Sequence, residues 1–155
     1  METTLFADFL ATVEVFDVAK VIIRPAQSED LDALSALIRE FVDEGKLLPR
    51  TLDELEELMS SFFVAELDGE LLGCAALEVY NRKLAEIRSL AVSRRAQGHG
   101  VGRKLVQACV DRAKELEIFE VMAISASDEF FRAVGFDYTL PRLRKAYFLQ
   151  TRDDL

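Results

Sequence analysis

The chain has 155 residues, of which 50% are hydrophobic and 30% charged, with three prolines and seven glycines. That size and balance specify one globular domain and exclude a disordered, collagen-like or linker-dominated chain. The formal net charge of −9 argues against nonspecific nucleic-acid binding, so no nucleic-acid partner is expected.

Residues 3–18 place Leu5, Phe6, Phe9, Leu10, Val13 and Phe16 at helical spacing and predict a helix ahead of the main fold. Its apolar face is expected to pack on the domain or on a second subunit, which leaves a homodimer open. Lys20 to Arg24 reads as a short strand ended by Pro25. Ser28 is expected to cap a helix with Glu29 and Asp30 in its first turn, where they suit the dipole. Leu31, Leu34, Ile38 and Phe41 form the buried stripe of that helix, and Gly45 ends it. After a loop from Lys46 to Arg50, Thr51 and Glu54 predict a capping box for a second helix, with Leu55, Leu58, Met59 and Phe62 inward. Strands Phe63–Leu67 and Glu70–Val79 flank Asp68-Gly69, the strongest short hairpin signal, and a third strand runs from Leu84 to Val92. Val101 to Leu116 reads as a helix, Phe119 to Ser125 as a strand, and Ser127 to Val134 as a short helix closed by Gly135. Phe136–Leu140 and Leu143–Leu149 read as two final strands split by Pro141. The order βααβββαβαββ, behind an N-terminal helix, is a mixed α/β domain. The expected organisation is a helical extension over 1–19 and one domain over 20–155.

Apolar runs such as Leu71 to Leu77 fall well short of the roughly 20 residues that span a bilayer, so no membrane partner is expected. Glu2, Asp8, Glu14 and Asp17 interrupt the apolar N-terminal stretch, which is wrong for a signal peptide. Two cysteines, Cys74 and Cys109, are too few for a disulfide framework. Together these favour the cytoplasm. With His99 as the one histidine, no two-histidine zinc site is available and no metal is expected.

Charge is unevenly spread. Residues 1–80 carry five basic and eighteen acidic side chains, whereas 81–112 carry eight basic and two acidic. Such a block is either a solvated stripe or a site for a multiply charged anion. Inside it, a strand ending at Val92 is followed by Gln97-Gly98-His99-Gly100-Val101-Gly102 and at once by a helix. Glycines at alternate positions allow unusual dihedrals and close approach. Successive amides then face one concavity at the positive end of a helix, which suits a pyrophosphate. Arg94, Arg95, Arg103 and Lys104 flank it. A Walker loop requires Gly-Lys-Ser/Thr, and Gly102-Arg103-Lys104-Leu105 fails that test. The dinucleotide fingerprint requires GxGxxG opening a βαβ unit, and this is GxGxG behind an antiparallel meander. An acyl-CoA remains, beside the plainer reading of a merely flexible glycine loop.

The chain resembles the GNAT superfamily of acetyl-CoA-dependent N-acetyltransferases. The family's pyrophosphate motif, Q/R-x-x-G-x-G/A, is matched by Gln97, Gly100 and Gly102. The strand Ile87-Arg88-Ser89-Leu90-Ala91-Val92 resembles its fourth strand, and Phe130 to Phe136 its helix and Gly-Phe segment. The order of elements from Lys20 to Leu149 is similar too. The resemblance implies a mostly antiparallel, mixed central sheet flanked by helices, with acetyl-CoA as co-substrate. It implies that main-chain groups of Leu90, Ala91 and Val92 hold the pantetheine arm. It implies that Gln97, Gly98, His99, Gly100, Val101 and Gly102 hold the pyrophosphate beside Arg103. The phrases Glu44-Gly45-Lys46-Leu47-Leu48-Pro49-Arg50 and Glu86 to Val92 further resemble small bacterial members of the N-acetylglutamate synthase type. Those acetylate glutamate to open arginine biosynthesis, so a small amino acid is the implied partner.

Acetyl transfer to an amine needs the amine neutral, which a general base supplies. Glu86, six residues before Val92, has the offset of the base glutamate in histone-acetyltransferase relatives; a plain ion pair with Arg88 is the competing reading. Strand alternation puts Glu86, Arg88 and Leu90 on one face. Arg50 and Arg88 are the arginines that could clamp an amino-acid carboxylate, bidentately, although Arg50 also reads as an exposed helix-flanking arginine. The tyrosine that often serves as general acid is Phe131 here, leaving Tyr138 and Tyr147 as substitutes. His99 reads as a phosphate neighbour, and Cys74 and Cys109 as core residues. The leading function is acetyl-CoA-dependent N-acetylation of a small amino acid, glutamate first. Acetylation of a protein or peptide amine, and a CoA-binding module without turnover, are the alternatives.

Overall fold

The computed structural model describes residues 16–138, 142 and 144–151. Its elements are β1 (Ile22–Pro25), α1 (Leu31–Asp43), α2 (Leu52–Glu57), β2 (Phe62–Leu67), β3 (Glu70–Asn81), β4 (Leu84–Val92), α3 (Val101–Glu115), β5 (Glu120–Ala123) and α4 (Asp128–Ala133). These strands form one sheet in the order β1-β2-β3-β4-β5, antiparallel except for the parallel β4–β5 pair. The chain divides into two units, the first ending at Ile124 and the second beginning at Ser125. Among the described residues no helix is long and apolar enough to cross a membrane.

In the first unit β3 is buried on both faces from Leu72 to Leu77. Small residues make this possible: Gly73, Cys74, Ala75 and Ala76 let helices approach from either side. An added Cβ at Gly73 would lie 3.0 Å from Leu105 Cδ1 of α3 and 3.1 Å from the Ala91 carbonyl, so a side chain there would press both neighbours outward. On the other face Leu34, Leu37 and Ile38 of α1 and Leu55 of α2 pack with Phe62, Val64, Cys74, Ala76 and Ala91. Burying each such leucine contributes about 1.5–3 kcal/mol.

Local chemistry fixes the joints. Thr51 and Glu54 form the expected capping box, the Thr51 amide donating to Glu54 and the Glu54 amide to Thr51 Oγ1. Asp68 and Gly69 both have positive φ, 51° and 81°, as a type I′ hairpin requires. The expected Ser28 cap is replaced. Ser28 to Asp30 form a 3₁₀ turn, and Asp30 accepts from the Gln27 amide at 2.8 Å. Arg24 of β1 donates to both Asp30 oxygens and to Glu66, which ties β1, the start of α1 and β2 together. The Arg24 hydrogen bond holds the Asp30 carboxyl below the usual carboxylate range.

Most of the expected helix over 3–18 lies outside the described residues. Phe16 and Asp17 belong to no element, and Val18–Lys20 form a 3₁₀ turn capped by the Asp17 side chain. In the second unit α4 ends at Gly135, whose φ of 96° suits a C′ residue. Phe131 stacks edge-on with Phe130 and Phe136 at 5.1 and 5.4 Å. The two expected final strands are not found there. Residues 136–138 and 145–149 form no strand and Arg144 makes an isolated bridge, while 139–141 and 143 lie outside the described residues. Tyr147, Phe148 and Leu149 are all exposed, so their apolar pattern has no face on which to alternate.

Candidate active site

Strand β4 pairs with β3 along its length but with β5 only from Leu84 to Ile87. From Arg88 to Val92, the edge that faced β5 carries no strand among the described residues. That edge is thereby open to an extended ligand, although the Val92 carbonyl accepts from Gln97 Nε2 and the Ser89 carbonyl from Cys74 Sγ. Leu90, Ala91 and Val92 lie on this stretch.

A β-bulge sits in the same stretch. Arg88 is opposite Ala76 and Ala91 opposite Cys74, so Ser89 and Leu90 together face Ala75. Ser89 has φ +52°, a strained value for a residue with a side chain. The bulge corrects the expected alternation: Ala91, not Leu90, continues the face of Glu86 and Arg88, because one extra residue shifts the pleat.

Beyond Val92 the Ser93 amide donates to the Leu72 carbonyl at 2.7 Å, and Arg94–Ala96 make a 3₁₀ turn anchored by buried Ala96. Gln97 Nε2 closes the loop onto the Val92 carbonyl at 2.9 Å. Gly98 and Gly100 have φ +78° and +84°, and Gly100 is the left-handed N-cap of α3. A Cβ built on either would meet nothing within 4 Å, so the space above the loop is open. The first amides of α3 have no carboxylate cap, and the first turn holds no acidic residue. An open, amide-lined N-terminus of a 15-residue helix fits a pyrophosphate. Val101 is buried beneath it and Gly102 lies in its first turn, followed by exposed Arg103. His99 stacks with Phe16 at 4.5 Å.

The basic block does not act as one surface. Arg94 pairs with Glu44, Arg95 with Glu70 at 2.5 Å, and Lys104 donates to the Val18 carbonyl at 3.1 Å. Arg82 and Arg112 make exposed pairs with Glu117 and Glu115.

The structure brings Arg50, Arg88 and Glu86 together on the α1/α2 side of the sheet, and adds three residues that sequence reasoning missed: Glu78, Tyr80 and Ser89. Arg50 Nε donates to Ser89 Oγ at 2.9 Å and Arg50 Nη2 to Glu78 Oε1 at 3.2 Å. Arg88 Nη1 donates to Glu78 Oε2 at 2.9 Å, while Arg88 Nε is 4.0 Å from Glu86 Oε1. Tyr80 donates its hydroxyl proton to Glu86 Oε2. Arg50 is not the exposed helix-flanking residue of the plainer reading, since its side chain is only 11% exposed. The firm partner of Arg88 is Glu78, not Glu86. Among the described residues, Glu86 Oε1 has the Arg88 Nε at 4.0 Å as its nearest cation and no closer hydrogen-bond donor.

Burial, the hydrogen bond to Glu86 and the nearby carboxylate charges push the Tyr80 phenol up to about 12, so it stays a donor. Burial works against the Arg88 charge, but the hydrogen bond and charge of Glu78 outweigh it and raise the guanidinium pKa. Burial alone pushes the Cys109 thiol up to about 12, and it is the main cause of the same rise at Cys74. Neither is a nucleophile in that state. Tyr138, in the second unit, is exposed beneath the Arg132 guanidinium, and Tyr147 is exposed.

Comparison with known proteins adds an independent line. The sequence model of the acetyltransferase (GNAT) family matches residues 29–136. The chain is 34% identical to an uncharacterized N-acetyltransferase of Chlorobaculum tepidum over 132 residues, 85% of this chain and 83% of that one. It is 40% identical to the amino-acid acetyltransferase of Neisseria meningitidis over 120 residues, 76% of this chain but only 28% of that longer protein. Its fold is similar to N-acetylglutamate synthase from Neisseria gonorrhoeae complexed with coenzyme A and N-acetyl-glutamate. There the TM-score is 0.68 at 38% identity, covering 77% of this chain and 28% of the synthase.

Proposed function

The chain belongs to the acetyltransferase (GNAT) family and is an N-acetyltransferase; from that premise we propose that it acetylates the α-amine of a small amino acid, L-glutamate first. One observation carries the reading. Arg50, from the loop after α1, and Arg88, from β4, converge on the sheet face that also presents Glu86. An amino acid presents an amine and a carboxylate, and this face offers a carboxylate and two guanidiniums in matching roles. The amino-acid acetyltransferase relative and the synthase that holds N-acetyl-glutamate support it.

Acetyl-CoA would supply an activated acyl carbonyl. The loop geometry fits it: the amides from Gln97 to Gly102 would take the pyrophosphate, with Arg103 adding positive charge. The strandless edge at Leu90, Ala91 and Val92 would take the pantetheine arm. Glu86 removes the amine proton, directly or through a water, using the oxygen that Tyr80 leaves open. Within the first unit, Tyr80 is the tyrosine that donates to the base. Arg50 and Arg88 hold the carboxylates and fix the amine before Glu86. In this reading the enzyme is cytoplasmic and serves arginine biosynthesis.

The test is release of CoA thiol from acetyl-CoA with a panel of free amino acids and lysine-containing peptides. Turnover of glutamate above the peptides is expected. Turnover of the peptides with glutamate ignored would overturn the amino-acid reading.

A further inference from the structure

Glu78 has no part in the reaction above, yet it is the centre of the acceptor face. Both its oxygens are engaged, Oε1 by Arg50 at 3.2 Å and Oε2 by Arg88 at 2.9 Å. It lies directly opposite Glu86 in the β3–β4 pairing. Resting on the amino-acid reading, the geometry points to Glu78 as a specificity-determining residue of the acceptor pocket. It is an internal carboxylate, seated on both guanidiniums, that limits how much negative charge the acceptor side chain can carry.

Like charges directly opposite on neighbouring strands destabilise a sheet. A carboxylate only 12% exposed also loses much of its hydration. The next residues toward the core on this face of β3, Ala76 and Cys74, are small and fully buried, so an apolar side chain continues the pattern without either cost. Arg50 is anchored by Ser89 without Glu78. The strand pattern therefore does not call for an acid here; what Glu78 meets is the charge of the two guanidiniums, and the consequence of having it is electrostatic.

Arg50 and Arg88 face Glu78 and Glu86, so these four groups have formal charges that cancel. Glutamate brings two carboxylates to this cluster, and each must share guanidinium donors with Glu78. Glutamine, of nearly the same shape, brings one. Glu78 thus penalises the second carboxylate and narrows the difference between these two acceptors. Replacing it by its amide keeps the shape and leaves the cluster one unit more positive, which favours the dicarboxylate.

The experiment measures kcat/KM for glutamate and for glutamine at saturating acetyl-CoA, in the wild type, Glu78→Gln and Glu78→Asp. The glutamate-to-glutamine ratio should rise about tenfold in Glu78→Gln, mainly through the glutamate KM, a change equal to about 1.4 kcal/mol. Glu78→Asp keeps the charge and should keep the ratio within about twofold of wild type. A purely structural Glu78 would depress both acceptors together, and an unmoved or lowered ratio in Glu78→Gln overturns the inference alone. A wild type that acetylates neither amino acid overturns the amino-acid reading and this inference with it. Should Glu78→Gln fail to fold, Glu78→Ser, also uncharged, reads the same ratio: a rise supports the inference, and an unmoved or lowered ratio overturns it.

Discussion

Replacing Arg50 by alanine separates a binding role from a structural one. The guanidinium makes two polar contacts, to Ser89 Oγ at 2.9 Å and to Glu78 Oε1 at 3.2 Å, and its side chain is 11% exposed. Alanine leaves Ser89 Oγ without that donor and leaves Glu78 with Arg88 as its remaining cation. Losing one such charge-assisted contact costs about 1.5–3 kcal/mol. For a domain of this size, at about 2–4 °C per kcal/mol, that lowers Tm by about 3–12 °C. The same loss on the acceptor carboxylate raises the glutamate KM about ten- to a hundredfold. The acetyl-CoA KM should not move, because Ser89 and Glu78, the partners of Arg50, lie on β4 and β3 and not in the phosphate loop. Steady-state CoA release with each substrate varied in turn, beside a calorimetric melt, reads all three quantities. A lowered Tm with a glutamate KM within twofold of wild type would refute the clamp and leave Arg50 as a brace for the β4 bulge.

Tyr80→Phe removes one hydrogen bond from Glu86 and should lower kcat about two- to tenfold with both KM values retained. The ultraviolet tyrosinate step of Tyr80, read as the difference between wild type and Tyr80→Phe, should appear near pH 12; a difference centred near 10 would refute the burial argument. The folded pKa is raised, so this contribution to stability is complete below about pH 10 and is lost as pH climbs through about 12. Gly100→Asp puts a side chain at φ +84° and a like charge where the pyrophosphate would sit. Calorimetric binding of acetyl-CoA should vanish while the fold survives at a cost of about 1–2 kcal/mol, and unchanged binding would refute the loop assignment.

How much of this was legible depended on range. The α2 capping box, the Asp68-Gly69 hairpin and the Gly100 start of α3 are local, and the structure follows them. The Leu90 face was misread because the bulge at Ser89 uses serine, which carries no sequence mark of a positive φ. Glu78 was missed because the register slips near the hairpin end: counting back from the Asn81–Leu84 pair sets Glu78 opposite Ile87, and the irregularity between Val79 and Asn81 brings it opposite Glu86 instead. The pairing inside the basic block was not legible because Glu44 and Glu70, partners of Arg94 and Arg95, lie far away in sequence. The last two strands failed because an alternating pattern becomes a strand only where a partner edge and a buried face receive it.

The most direct test of the central claim is the kcat of Glu86→Gln with glutamate and acetyl-CoA both saturating. The substitution keeps the shape and the contact with Tyr80 but cannot accept the amine proton. If Glu86 is the general base, kcat falls by roughly 10²–10⁴ while the acetyl-CoA KM stays unchanged. A wild-type kcat at neutral pH in a folded variant would contradict the account and reduce Glu86 to a structural partner of Tyr80.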